Sequence, residues 1–246
     1  MRRVKRLSSW TLLALALGLA LPAGIAASGQ EAPPPAAIFF QPDFADWQAI
    51  LPPPPAPDSI AALADLETVL QVQAVRTPAD AAWAKLIVKD DYFADYGDVI
   101  GPWFEEKNLP VIADFLRQIK ADTQAVNWRV KDLYSRRRPP VVEPAVQPCV
   151  ELPKSNSYPS GHSLRAFVMA AVLGDIFPER QAELEARAHR VAWGRILGGV
   201  HFPTDVAGSR LVAEMIVAQL RKSREYRAAV EQCRAEAVPF RLKQAA

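Results

Sequence analysis

Three short clusters hold most of the unusual polar residues of this chain, and each suits the handling of an anion. The first is Lys131-Asp-Leu-Tyr-Ser-Arg-Arg-Arg138-Pro139. Lys131 and Arg138 are seven positions apart, two helical turns, so on one helix both side chains point the same way. Two cations on one face could hold an anion, and Arg138 offers the planar fork that matches phosphate. Taken alone, the cluster also reads as a solvated basic face, because Arg136 and Arg137 share it.

The second cluster is Tyr158-Pro159-Ser160-Gly161-His162, which leads into the apolar run from Leu164 to Phe177. A small-residue turn feeding a helix start presents free backbone N–H groups, and the dipole there favours negative charge. Ser160 can add a hydroxyl, Gly161 lets a ligand approach the backbone, and His162 could give a proton near neutral pH. A capped helix beside a surface histidine is the plainer account. The third cluster runs from Gly194-Arg195 through Gly198-Gly199 to His201-Phe-Pro-Thr-Asp205. Asp205 lies four residues after His201, within reach of its ring. A carboxylate on one ring nitrogen fixes the tautomer and leaves the other as a nucleophile. Arg195 and His201 would lie on different faces of an unbroken helix, but Gly198-Gly199 and Pro203 offer a break. Metal binding by His201 and Asp205 competes with this, although no further ligand suggests itself nearby. A capping aspartate beside a core histidine is the structural alternative. His189, among Glu185, Arg187 and Arg190, reads as a surface residue.

The elements that must position these residues read as helices. Thr77-Pro78 is an N-cap and first-turn proline that predicts a helix to about Tyr96. Leu63, Leu66, Val69 and Leu70 recur at helical spacing, as do Ile112, Phe115, Leu116 and Ile119 after a start near Asn108. Further helices are predicted over 122–137, 162–176, 179–197, 204–222 and 223–236. No run alternates like a strand, so the fold class is all-α. Residues 28–57 contain Pro33-Pro34-Pro35 and Pro52 through Pro55, a proline-rich arm or linker ahead of one domain over 58–246.

Residues 1–27 read as a secretory signal peptide: Arg2, Arg3, Lys5 and Arg6, then an apolar run from Trp10 to Pro22, then small residues. The net charge of +2 becomes −2 without those four cations, which gives no mandate for nucleic acid. A periplasmic or secreted location follows, with no membrane insertion after signal removal. A hydrophobic content of 50% excludes a disordered chain. In an oxidising compartment Cys149 and Cys233, the only two cysteines, are expected to form a disulfide, with two free buried thiols as the alternative.

The ordered pattern Lys131-x6-Arg138-Pro, Pro159-Ser-Gly-His162 and Arg195-x5-His201-x3-Asp205 resembles the type 2 phosphatidic acid phosphatase (PAP2) superfamily. That superfamily includes class A acid phosphatases, lipid phosphatases and vanadium haloperoxidases. The leader and Asn156-Ser-Tyr-Pro-Ser-Gly-His162 are most similar to the class A non-specific acid phosphatases. The resemblance implies a helical bundle, an acid phosphatase acting on phosphate monoesters, no metal or other cofactor, and a homo-oligomer. It implies that His201 attacks phosphorus while Asp205 orients it, and that His162 protonates the leaving alcohol and then activates water. Lys131, Arg138, Arg195, Ser160 and Gly161 would hold the phosphate oxygens. Lipid or diphosphate hydrolysis and vanadate-dependent halide oxidation are the other activities such a site can carry, and a silent anion-binding protein would not need His162, His201 and Asp205. One departure stands out, because Gly194 occupies a position where the family usually has Ser. A missing hydroxyl there would weaken the positioning of Arg195 but leave every charge in place.

Overall fold

The computed structural model describes residues 39–245. The stretch expected to be a leader, 1–27, and the arm up to residue 38 lie outside the described residues. Within them the chain is all-α. Its helices are α1 (Trp47–Ile50), α2 (Ile60–Val75), α3 (Pro78–Leu86), α4 (Tyr92–Ile100), α5 (Pro110–Lys131), α6 (Pro139–Val142), α7 (Gly161–Ile176), α8 (Gln181–Leu197), α9 (Pro203–Lys222) and α10 (Arg224–Ala245).

Helix α7 is the axis of the bundle. Leu164, Val168, Met169, Val172, Leu173 and Ile176 are buried on all its faces, as expected of a helix that is apolar all round. Helices α8 and α9 pack along it most extensively, with α5 and α10 closing the remaining sides. Each such side chain contributes about 1.5–3 kcal/mol on burial, so the axis is the best-anchored element. No helix among the described residues is long and apolar enough to cross a membrane.

Thr77 caps α3 as expected, in a reciprocal box with Asp80 and with Pro78 in the first turn. The helix then stops at Leu86 rather than running to Tyr96. Asp90 takes a left-handed conformation (φ 52°), and Asp91 starts α4 by accepting a hydrogen bond from the Ala94 N–H (3.1 Å). The two helices expected around Val111 and over 122–137 are one, α5, and it ends at Lys131. Lys131 and Arg138 therefore do not share a helix face. Arg138 is the N-cap of α6, and the intervening segment leaves helical geometry so that Tyr134 can donate to the Leu51 carbonyl (2.8 Å).

The described part of the arm is woven into the core. Phe40, Trp47 and Leu51 join the main apolar cluster. Tyr158 donates to the Pro52 carbonyl (2.8 Å), and Phe39 N–H donates to Asp122 (3.1 Å). Prolines suit this segment because they donate no N–H and hold it extended along the bundle.

The expected Cys149–Cys233 disulfide is not formed. Cys149 lies in the loop after α6, its Sγ 3.7 Å from the Leu197 carbonyl, against a small cluster that includes Val69, Val72 and Ile196. Cys233 is fully buried on α10 in the main core, where burial pushes its thiol up to about 12. Both thiols are free because each is anchored in a different cluster.

Leu51→Ala should destabilise the protein by about 2–5 kcal/mol, the cost of a cavity at a site only 1% exposed. Urea unfolding measures this, and an unchanged midpoint would show that the arm contributes nothing to the fold.

Candidate active site

The polar clusters meet where helix ends converge: the C-termini of α5 and α8, and the N-termini of α6, α7 and α9. The break foreseen at Gly198-Gly199 is present. Helix α8 ends at Leu197, and Gly199 adopts φ 73°, where a Cβ would also lie 3.2 Å from Pro148 Cα. The reversed chain then delivers His201 just ahead of α9.

His201 is buried, with its Nδ1–H donating to Asp205 Oδ2 (3.1 Å) and its Nε2 accepting from Arg138 Nη1 (3.0 Å). That tautomer follows from the partners. Asp205 Oδ2 also accepts from Ser157 Oγ (2.6 Å) and Phe202 N–H (2.8 Å), while Oδ1 accepts from Arg136 Nη1 (2.6 Å). An acceptor so fully used is an ionised carboxylate. Burial would raise its pKa, but His201, Arg136 and Ser157 outweigh burial and hold it at about 2. Burial, reinforced by Arg138 and Lys131, pushes His201 down to about 3 despite Asp205. The imidazole is therefore neutral, with the Nε2 lone pair turned toward the cations.

Lys131 and Arg138 both grip the loop ahead of α7. Lys131 Nζ donates to the carbonyls of Asn156 (2.7 Å), Ser157 (3.2 Å) and Pro159. Arg138 donates to the carbonyls of Ser155 (2.8 Å), Val200 (2.8 Å) and Asn156 (3.2 Å). Burial, with Arg138 nearby, lowers Lys131 to about 7. Arg195 stands in the last turn of α8, only 1% exposed, and its Nε and Nη1 have no protein partner. Burial and Arg138 lower it to about 10. A buried cation with unmatched donors is unfavourable until an anion meets it.

Ser160 caps α7, its Oγ accepting from Ser163 Oγ (2.8 Å) and its N–H donating to the Asp205 carbonyl (3.1 Å). That bond ties the start of α7 to the start of α9. Gly161 is the first residue of α7 and packs on the Asn127 amide. His162 follows, partly exposed, with Nε2 3.9 Å from Asp90 Oδ2. Burial first, then Arg195 and Arg165, push the His162 pKa far below its ordinary value. The eight expected site residues are thus brought to one place. Among the described residues, no group of three or more His, Cys, Asp or Glu is placed to hold a metal ion.

Several contributors were not read from the sequence. Arg165 donates to Asp90 Oδ2 (2.6 Å) and Gln124 Oε1 (2.9 Å), adding a fourth cation beside His162. Its spacing of three from His162 on a helix was the available signal. Asp90 carried only a weak one, a doubled aspartate between two helical stretches. Arg136 is not part of a solvated face, since its side chain is 10% exposed and bonded to Asp205. Gly194 also has a packing reason. A Cβ there would lie 2.5 Å from Ile87 Cδ1 and 3.2 Å from Trp83 Nε1, so a serine would have to push the Ile87 side chain aside where α8 approaches the end of α3.

The chain belongs to the PAP2 superfamily. The family model described as the PAP2 superfamily matches residues 119–228, which include all the expected site residues. The chain is 30% identical over 202 residues to a non-specific acid phosphatase of Providencia stuartii, covering 78% of this chain and 80% of that one. It is 29% identical over 184 residues to a non-specific acid phosphatase of Salmonella typhi, covering 71% and 73%. An acid phosphatase of Zymomonas mobilis is 25% identical over 237 residues, covering 89% and 88%. Among solved structures, a transmembrane PAP2 type phosphatidylglycerolphosphate phosphatase from Bacillus subtilis aligns with a TM-score of 0.48 and 19% identity, over 68% of this chain and 87% of that one.

Gly194→Ser should destabilise by about 1–3 kcal/mol through overpacking, and Ile87→Val should relieve part of that cost. Thermal unfolding of the single and double variants checks this; a serine tolerated without loss would sink the packing account. The lowered Lys131 pKa makes a second prediction. A bound dianion favours the protonated amine, so affinity for tungstate should be greatest below pH 7 and weaken by up to about tenfold per pH unit above it. Calorimetric titration reads this directly, and a flat affinity would mean that Lys131 keeps its proton without a ligand.

Proposed function

We propose that this protein is an acid phosphatase that hydrolyses phosphate monoesters through a phosphohistidine at His201. The observation that carries the reading is the His201 Nε2 lone pair, fixed by Asp205 and facing Arg138 beside the unmatched donors of Arg195. The PAP2 membership and the acid phosphatase relatives support the same chemistry.

An entering phosphate takes the free N–H groups of Arg195 and draws Arg138 Nη1 away from Nε2, which frees the nucleophile. Lys131 and the start of α7 complete the cradle. Nε2 then forms the bond to phosphorus as the ester P–O bond breaks, and His162 gives its proton to the departing alkoxide oxygen. The imidazole becomes cationic on phosphorylation, and the Asp205 carboxylate stabilises that charge as it keeps Nδ1–H in place. In the second half, His162 takes a proton from water, the water oxygen attacks phosphorus, and the P–N bond breaks to release inorganic phosphate and neutral His201.

The low basicity of His162 in the empty site has a consequence. Arg195 and Arg165 are among its causes, and the dianionic substrate offsets both charges. Burial remains the larger cause, so the substrate raises the basicity of His162 only in part, and low pH assists the protonation that donation requires. The basic and apolar leader supports action outside the cytoplasm.

Purified protein should hydrolyse p-nitrophenyl phosphate from about pH 4 to pH 8 with EDTA present, fastest toward the acid side given an unperturbed histidine near ~6.5. His201→Ala should abolish turnover and also the acid-labile phosphate trapped on the protein during it. Label retained in that variant would remove His201 as the nucleophile, and no turnover by the parent would overturn the monoesterase reading.

A further inference from the structure

We propose that Arg136, gripped by Asp65, is a positioning residue for the nucleophile: the pair fixes the Asp205 carboxylate and, through it, the His201 ring. The inference rests on the phosphatase reading and adds two residues to it. Arg136 falls among the six positions that the Lys131-x6-Arg138 pattern leaves unspecified, and Asp65 on α2 lies ahead of the region matched by the family model.

The Arg136 guanidinium is held from several directions. Its Nη1 donates to Asp205 Oδ1 (2.6 Å) and Thr204 Oγ1 (2.7 Å), and its Nη2 donates to Asp65 Oδ2 (2.6 Å). Thr204 closes the circuit, because its backbone N–H donates to Asp65 Oδ1 (3.1 Å) and its hydroxyl to Asp65 Oδ2. The flat face of the guanidinium covers the Phe202 ring, 4.2 Å from its centroid. Asp65 is only 4% exposed and Asp205 is fully enclosed. A rigid planar fork can serve two carboxylates and an aromatic face together, which an ammonium cannot.

The geometry separates the jobs of the two Asp205 oxygens. Oδ2 receives the His201 ring and Oδ1 receives Arg136, so the carboxylate cannot rotate about its Cβ–Cγ bond without breaking a buried charge-assisted bond. The orientation of the ring, and hence the line of attack from Nε2, depends on that lock. The charges are also matched to the reaction. Asp65 and Asp205 supply two negative charges and Arg136 one positive, leaving one negative charge facing His201. Phosphorylation of Nε2 makes the ring cationic and balances it. Without Asp65, Arg136 would neutralise Asp205 before the reaction began.

The test uses the full chain as the parent, with Arg136→Lys, Arg136→Met, Asp65→Asn and the double variant Asp65→Asn/Arg136→Met. Steady-state hydrolysis of p-nitrophenyl phosphate is measured beside the nitrogen NMR signals of the His201 ring without substrate. For Arg136→Met, kcat should fall about tenfold to a hundredfold, the scale of a small misplacement of a reacting group. KM should stay nearly constant, because Lys131, Arg138 and Arg195 are untouched. Arg136→Lys should restore part of the loss. Asp65→Asn, close in shape and therefore the variant that decides if Arg136→Met does not fold, should lower kcat about tenfold and cost less when Arg136 is already replaced. The ring should show a single Nδ1–H tautomer in the parent and a mixture in Arg136→Met. Parent-like kcat in Arg136→Met or Asp65→Asn, a loss confined to KM, or an unchanged tautomer would overturn the proposal. A parent that hydrolyses no ester would overturn the phosphatase reading instead, and the tautomer comparison would still decide the positioning role.

Discussion

The Asp205–His201 contact is the interaction around which the site is organised. An ionised carboxylate and a neutral imidazole sit together in a nearly dry interior, with 0% and 2% of their side chains exposed. Removing a charge from water is costly unless its bonding capacity is filled. Ser157, the Phe202 N–H, Arg136 and the His201 ring nitrogen fill it, and together they come from three separate stretches of chain. The loop before α7, the start of α9 and the turn after α5 therefore cannot move independently. The backbone bond from Ser160 to the Asp205 carbonyl fastens the start of α7 to the same point.

The cations show the opposite condition. Lys131, Arg138 and Arg195 lie close together, all with depressed pKa values, and two of the Arg195 donors are unmatched. Left to stability alone, such a cluster would be diluted with apolar or acidic residues. Instead the negative charges of Asp65, Asp90 and Asp205 are engaged at the margin, by Arg136, Arg165 and His201. The centre keeps an excess of positive charge that suits a dianion. That concentrated strain is what a binding site for phosphate requires, and a bound anion would return the lost stability.

The chemistry was more legible in the sequence than its geometry. The three polar clusters contain every group that faces the cradle apart from Arg165 and Asp90, because phosphate handling needs particular residue types at short spacings. Helix existence was also readable, since the apolar run of α7 and the Thr77 cap are local signals. What failed depended on tertiary partners. Nothing local ends α5 at Lys131; the segment unwinds because Tyr134, Arg136 and Arg138 each find a buried partner elsewhere. Arg136 and Arg137 look alike in sequence, yet one is enclosed and the other exposed. The disulfide expectation failed for the same reason, since pairing by elimination says nothing of the separate clusters that hold Cys149 and Cys233.

The elements ahead of the PAP2-matched region are therefore structural parts of the site. Leu51 and Pro52 supply the carbonyls that anchor Tyr134 and Tyr158, which lie in the segments that carry Lys131, Arg138 and Ser160. Asp65 reaches from α2 to the guanidinium that pins Asp205. Asp90, in its left-handed turn, reaches the pair of Arg165 and His162. Leu51, Pro52, Asp65 and Asp90 all lie ahead of the residues that carry the recognisable motif. A chain reduced to the motif would retain His162, His201 and the cations and lose the contacts that hold them in place. The role proposed for His201 needs those supports, because an imidazole that can rotate presents its lone pair to a substrate only part of the time.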